Sequence, residues 1–232
     1  MRIAQNIELL VISVSRGGMT SEINLTLAWD ENHLVLFDTG YPDTVALIAD
    51  AIKKAGFNVA DLTEIILTHQ DIDHIGGCKE LKEMAPTAKI LASSVATPYI
   101  DGHKMPTKLY DLNHAQRTLT PQQQSFLEML EAGFLNRQVM IDQELQNNEL
   151  IDICGGIRCI ATPGHTPGHM SFFLEATQVM VCGDAANVKD GKLVGPNPNM
   201  TKDIVEGEKS LAKLMTYPMK IAVCYHTGVL NF

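Results

Sequence analysis

The sequence predicts an α/β protein in which two β-sheets are sandwiched between layers of helices. Three observations carry this. Short aliphatic and β-branched runs crowd both ends of the chain, the middle alternates such runs with helical periodicity, and clusters of Gly, Pro, Asn and Asp punctuate them. Periodicity alone leaves an ordinary doubly wound sheet open as well. With 232 residues, 45% of them hydrophobic and 19% charged, the chain can bury a sizeable core as one domain over residues 1–232.

Residues 7–14 and 25–37 read as early strands and a hairpin, broken at Arg16-Gly17-Gly18 and at Asp30-Glu31-Asn32. After Asp38-Thr39-Gly40, Val45, Ile48 and Ile52 fall at helical spacing within residues 44–55, with Lys53 and Lys54 near the end and Gly56 as the stop. An apolar run at 64–68 leads into a polar, glycine-containing loop, and residues 89–92 repeat the pattern after a helical stretch.

Residues 98–145 interrupt this rhythm as a helical pocket or lid insertion. His103, Lys104, Pro106 and Asn113 mark a polar stretch, and Thr120-Pro121 is a good start for a helix reaching residue 135. Phe126, Leu127, Met129, Leu130 and Phe134 approximate one apolar face of that helix, for packing on the scaffold or, alternatively, for covering a substrate. Tyr99, His103, Tyr110 and Phe126 are candidate pocket linings. Strands resume at 157–161, 170–174, 179–182 and 221–224, the last preceded by a helix near 204–215.

Several function classes drop out. No uncharged apolar stretch reaches the roughly 18 residues of a membrane span, and the N-terminus lacks a signal-peptide pattern. A net charge of −9 without basic clusters argues against nucleic acid. Five cysteines (Cys78, Cys154, Cys159, Cys182, Cys224) without Cys-x-x-Cys spacing suit free thiols and a cytoplasmic location. Cys182 and Cys224 sit two residues before candidate ligands; they are read as buried small hydrophobes, although alternation would let them point toward a site. A small-molecule substrate is the expected partner.

The chemistry concentrates in Leu67-Thr68-His69-Gln70-Asp71-Ile72-Asp73-His74-Ile75-Gly76-Gly77. Four metal-competent side chains fall within six positions directly after an apolar strand. Acidic and imidazole groups crowded at a strand end repel or desolvate one another unless a cation compensates them, and His with Asp are natural ligands for borderline metals. Thr162-Pro163-Gly164-His165-Thr166-Pro167-Gly168-His169 sets two imidazoles among rigid turn residues. Val181-Cys182-Gly183-Asp184 and Ile221-Ala222-Val223-Cys224-Tyr225-His226 are apolar strands ending in a carboxylate and an imidazole.

In order and spacing these residues resemble the metallo-β-lactamase superfamily, which includes glyoxalase II-like thioesterases and acyl-homoserine lactonases. The resemblance spans most of the chain. It is carried by Phe37-Asp38-Thr39-Gly40, the His69 to His74 loop with Gly76-Gly77, Gly164-His165-Thr166, Gly183-Asp184 and His226. It implies a four-layer αββα sandwich of two mixed sheets flanked by helices, with metals at one edge. It also implies that His69, Asp71 and His165 hold a first metal, that Asp73, His74 and His226 hold a second, and that Asp184 bridges them. His165 takes the ligand position because the family's ligand is the histidine of the Gly-His-Thr turn, which leaves His169 to support or loop packing. Asp38 is expected to orient a ligand imidazole.

One position departs from the family. Its loop reads His-x-His-x-Asp-His, whereas this one reads His69-x-Asp71-x-Asp73-His74. Three aspartates and a bridging hydroxide would balance two divalent cations. Zinc is the first expectation, with manganese or iron admitted by the harder oxygen of Asp71. Metals ~3.5 to 4 Å apart share a water and polarise a carbonyl, so the expected function is a metal-dependent hydrolase. Its bridging hydroxide would attack an ester, lactone, thioester or amide. Asp73 is the catalytic candidate that orients the nucleophile or relays a proton. Tyr225, next to His226, is read as packing rather than as an oxyanion donor. Two alternatives stand: a phosphodiesterase or phosphonate hydrolase on the same site, and a diiron redox protein with a separate electron-transfer partner. The second arises because flavodiiron oxygen reductases also carry a carboxylate at the second loop position; a flavin domain has no room in this chain.

Overall fold

Alternating apolar runs at the start of the chain pair with one another before any helix intervenes. The computed structural model describes residues 1–232 except 17, 18, 116 and 117 and the side chains of Arg16 and Met19. In it β1 (Arg2–Ala4), β2 (Ile7–Arg16), β3 (Met19–Trp29) and β4 (Leu34–Phe37) form an antiparallel meander. The expected break at Gly17-Gly18 lies outside the described residues. Three crossovers then add parallel strands. α1 (Val45–Lys54) leads to β5 (Glu64–Leu67). The short helix α2 (Ile72–Ile75) and α3 (Cys78–Met84) lead to β6 (Lys89–Ser93). Helices α4 (Thr97–Ile100), α5 (Thr107–Asn113) and α6 (Pro121–Phe134) lead to β7 (Gln143–Leu145).

A second sheet starts from β8 (Leu150–Ile151), β9 (Ile157–Ala161), β10 (Met170–Leu174) and β11 (Val179–Gly183), all antiparallel. A side hairpin of β12 (Asn187–Lys189) and β13 (Lys192–Val194) precedes α7 (Ile204–Leu214). β14 (Ile221–Cys224) then pairs parallel to β11, and β15 (Gly228–Asn231) closes the edge. The strand orders are β1-β2-β3-β4-β5-β6-β7 and β15-β14-β11-β10-β9-β8. Strands of the second half pair only among themselves, so the doubly wound alternative fails.

Side-chain alternation stacks these sheets into four layers. Inner faces meet through Ile7, Val35, Phe37 and Ile66 against Ile157, Phe172, Val181 and Val223, with Phe37 and Phe172 rings 5.5 Å apart. The outer face of the first sheet (Leu25, Leu36, Ile65) is covered by Ile48 and Ile52 of α1 and by Leu127, Leu130 and Phe134 of α6. The outer face of the second (Phe173, Met180, Ala222) is covered by Leu214 of α7. Cys182 and Cys224 belong to this outer layer, and all five cysteines are free thiols.

The expected helix at 44–55 is α1 with its two caps, and the strands at 157–161, 170–174 and 221–224 appear with those bounds. α6 starts where Thr120-Pro121 predicts. The Thr120 hydroxyl accepts from the Gln123 N–H at 3.3 Å, while the Gln123 side chain accepts from the Thr120 N–H at 3.0 Å. The inserted segment 98–145 is narrower than expected, because its last three residues are the edge strand β7. No described helix is long and apolar enough to cross a membrane.

Candidate metal centre

The candidate ligands lie past strand ends along one edge of the two sheets: after β5, β11 and β14, each with a parallel neighbour, and, for His165, in the turn between the antiparallel β9 and β10. Past β5 the chain runs through Thr68 and His69 to Asp71, which is the N-cap of α2, so one tight turn also delivers Asp73 and His74. Gly77 lets this turn close, because a Cβ there would lie 2.4 Å from the Thr39 carbonyl oxygen. His165 comes from the β9–β10 turn, Asp184 follows β11, and His226 follows β14. The Met170 N–H donates to the Thr68 carbonyl at 2.9 Å, which ties the two sheets together at this edge.

Three groups of ligand atoms converge: His69, Asp71 and His165; His69, His74 and Asp184; and Asp73, His74 and His226, each within 4.8 Å. Asp71 Oδ2 lies 3.0 Å from His165 Nε2 and 3.3 Å from His69 Nε2. Asp73 Oδ2 lies 3.2 Å from His226 Nε2 and 3.8 Å from His74 Nε2. Between them Asp184 places Oδ2 3.3 Å from both His165 Nε2 and His226 Nε2, and Oδ1 3.5 Å from His74 Nε2. The seven side chains thus form one constellation.

Asp38 sets the direction of two imidazoles. It sits past β4 at φ 63, a left-handed backbone uncommon outside glycine, asparagine and aspartate. Its carboxylate accepts from His74 Nδ1–H at 2.8 Å, from the Thr68 N–H at 2.8 Å and from the Thr68 hydroxyl at 2.9 Å. With its proton committed to Asp38, the Thr68 oxygen accepts from His69 Nδ1–H at 2.9 Å. Both rings therefore turn Nε2 inward. His69 Nε2, His74 Nε2 and Asp184 Oδ1 are buried and make no hydrogen bond among the described residues. Buried polar atoms of this kind left without a partner are costly, and a cation in place of the imidazole protons would meet all three, so the donor set fits one.

His169 uses both nitrogens elsewhere. Its Nε2 accepts from the Asp184 backbone N–H at 3.0 Å and its Nδ1–H donates to Thr162 Oγ1 at 2.8 Å. Burial and the neighbouring His69 and His165 push its pKa well below the ordinary value, which keeps it neutral as this arrangement requires. Gly183, at φ 55, carries the chain past it; a Cβ would come within 2.7 Å of His169 Nε2.

Opposite charges dominate the electrostatics. Burial disfavours the ionised forms of Asp73 and Asp184, yet the surrounding imidazoles outweigh it. His74 and His226 hold Asp73 at about 2, and His226, His74 and His165 hold Asp184 well below the carboxylate range. In return, against the pull of burial, Asp38, Asp184 and Asp73 raise His74 well above 6.5, and Asp184 and Asp73 raise His226 to about 10. Asp71 has a different partner. The Lys108 ammonium, reaching over from α5, pairs directly with its carboxylate and lies 3.2 Å from His165 Nε2. Burial opposes ionisation of Asp71 too, but Lys108 and His69 overcome it and hold its pKa well below the usual value.

Above the constellation lies a cavity of about 360 Å³. Asp71, Asp73, His165, Asp184 and His226 form its floor, Ile72, Phe126, Met129 and Leu130 an apolar wall, and Asn187 and Asn197 a polar one.

Residues 20–227 match the sequence family described as the metallo-beta-lactamase superfamily. The chain belongs to that superfamily. It is 29% identical over 205 residues to the probable metallo-hydrolase YflN of Bacillus subtilis (strain 168), covering 82% of this chain and 74% of that protein. Against a hydroxyacylglutathione hydrolase of Ectopseudomonas mendocina (strain ymp) it is 26% identical over 173 residues; the match covers 73% of this chain but 49% of the relative, about half its length. The fold is similar to the crystal structure of the metallo-beta-lactamase family protein TTHA1429 from Thermus thermophilus, with TM-score 0.73 and 22% identity over 98% of this chain and 75% of that one.

Within this superfamily fold, several expectations from the sequence change. Of the suggested pocket linings only Phe126 faces the cavity over the constellation; Tyr99 and Tyr110 line a separate depression, and His103 is exposed with its Nδ1 2.8 Å from Asp101. Tyr225 is a strut. Its ring stacks on His74 at 3.8 Å, its hydroxyl donates to the Asp73 carbonyl at 2.5 Å, and its own carbonyl accepts from the Asn24 backbone and side-chain N–H groups at 2.8 and 3.0 Å. Sequence reasoning missed Asn24 and Lys108. A buried asparagine in the long strand β3 offered a faint signal for the first. Lys108 stands in a polar stretch 37 positions after Asp71, and only the unbalanced charge of the loop hinted that a cation would be needed.

Proposed function

We propose that the protein is a dinuclear metallo-hydrolase that cleaves a small acyl compound at its carbonyl carbon, as an ester, lactone, thioester or amide. In this reading His69, Asp71 and His165 hold one divalent cation, Asp73, His74 and His226 hold the other, and Asp184 gives an oxygen to each. The position of Asp184 carries the proposal: one carboxylate reaches His165 and His226 at 3.3 Å and His74 at 3.5 Å, so a single side chain touches both groups of ligands. Histidine nitrogens with carboxylates suit zinc, and the three aspartates extend the choice to manganese or iron.

Two divalent ions bound there would supply hydroxide at neutral pH and a Lewis acid for the carbonyl. The chain's own residues do the rest. Asp73, held at about 2, remains a hydrogen-bond acceptor throughout the neutral range and orients the attacking water. The apolar wall of Ile72, Phe126, Met129 and Leu130 receives an acyl chain and excludes bulk water, while the amides of Asn187 and Asn197 are placed to hold polar groups of the substrate. The name of the hydroxyacylglutathione hydrolase supports acyl hydrolysis as the reaction type.

Metal content of protein purified without chelator or added metal, beside Asp184→Ala, tests the site. Near two metals per chain, sharply reduced in the variant, is expected. A panel of esters, lactones, thioesters, β-lactams and phosphodiesters then tests the reaction, and turnover confined to phosphodiesters would overturn the carbonyl assignment.

A further inference from the structure

The two groups of ligands are alike in composition and unlike in their surroundings. Asp73, His74 and His226 face one another and Asp184, and no lysine or arginine pairs with any of them among the described residues. Asp71 and His165 instead share the ammonium of Lys108, whose side chain is about four-fifths buried at 20% exposure. An ammonium has only hydrogens to offer. Donating to Asp71 Oδ2, it engages a lone pair that a metal at that position would take, and it stands 3.2 Å from His165 Nε2, which itself lies 3.0 Å from the same oxygen. A divalent ion there also meets a like charge at close range in a poorly screened setting.

We propose that Lys108 is a built-in counter-cation of Asp71 that makes the two metal positions unequal. The Asp73–His74–His226 position fills first and tightly. The His69–Asp71–His165 position fills second, and only as the lysine withdraws into the cavity that its side chain already lines. This rests on the metal-centre reading above and adds an order of loading to it. It also gives the aspartate at position 71 a physical partner: where a neutral imidazole would need no compensation, the carboxylate brings a charge and α5 brings its opposite. Nothing else lining the cavity can do this, since Lys108 is its one cationic aliphatic side chain among the described residues.

The test is a calorimetric titration of Zn²⁺ into chelator-treated protein, with bound metal counted by native mass spectrometry, for the wild type, Lys108→Met, Lys108→Arg and Asp71→Ala. In the wild type one equivalent binds tightly and a second at least about tenfold more weakly, the scale expected for one close like charge. Lys108→Met tightens the weaker equivalent by about tenfold or more and leaves the tighter one in place. Lys108→Arg keeps the wild-type pattern, and Asp71→Ala removes the weaker equivalent alone. Thermal melts establish that each variant is folded, and the arginine variant separates charge from packing. An unchanged weaker constant in Lys108→Met, or identical behaviour of the methionine and arginine variants, overturns the role of Lys108 while leaving the metal centre standing. A wild type that takes up none of Zn²⁺, Mn²⁺ and Fe²⁺ overturns the functional reading, and this inference with it.

Discussion

At the scale of single residues, the site depends as much on what aims the ligands as on the ligands themselves. Asp38 holds His74 directly and His69 through Thr68. Asp38→Asn is an informative change, because asparagine tolerates the same left-handed backbone, removes the charge and replaces one acceptor oxygen by an amide NH2 that cannot accept from His74 or Thr68. Partners of this kind contribute about 10- to 100-fold to metal affinity, so the variant should lose metal to a competing chelator that much more readily while melting near the wild-type temperature. Retention equal to the wild type would show that the imidazoles are aimed without it. Most of these residues are visible in the sequence because each stands just past an apolar run, weak evidence singly, in an order that resembles the superfamily's. Lys108 and Asn24 are not, since their importance arises from a meeting of chain segments that no local pattern encodes. Tyr225 is visible, but its links to Asp73 and Asn24 are tertiary.

Among the elements, α6 does two jobs with one apolar face. Leu127 and Phe134 sink into the scaffold while Phe126 and Met129 line the cavity. Phe126→Ala should therefore spare metal content and mainly raise KM for substrates with long acyl chains. The loss is about tenfold in kcat/KM, as expected for removing one large apolar contact, and shrinks for acetyl compounds. Steady-state kinetics on an acyl-length series reads this directly, and an equal loss at every length would place Phe126 outside the acyl site. The strands legible in advance were those written as nearly continuous apolar runs, such as β5, β10 and β14. β12, β13 and β15 were not, having only one or two apolar residues set beside Asn, Lys or Gly and being held by pairing rather than by their own propensity. α5 escaped because seven residues in a polar stretch carry too little periodicity to register.

On the scale of the whole molecule, polar ties join the two halves at several places. One lies far from the site: Asp30, in the turn between β3 and β4, accepts from the Cys154 N–H at 2.7 Å and from its neighbours Asn32 and His33 at 2.8 Å. Burial works against its ionisation, but these backbone donors and the His33 side chain lower its pKa from 3.8 to about 2. A carboxyl with a depressed folded-state pKa stabilises above the unfolded value and loses that contribution as pH falls through the folded one. Asp30 is partly exposed, so screening trims the effect to about 1 kcal/mol. Urea unfolding should thus show Asp30→Asn less stable than the wild type by that amount at pH 6, with the gap closing between pH 4 and 2. A gap that persists at pH 2 would assign the loss to packing.

The constellation draws on Asp38 near the start of the chain and on His226 close to residue 232, with the other members strung between. During synthesis the residues of the first sheet are made before those of the second, and at that stage His69, Asp71, Asp73 and His74 have neither Asp184 nor His226 beside them. In the proposed reading the full ligand set is complete only once His226 has been made, and a fragment ending before residue 184 would carry the His69–Asp71–His165 group while lacking Asp184 and His226.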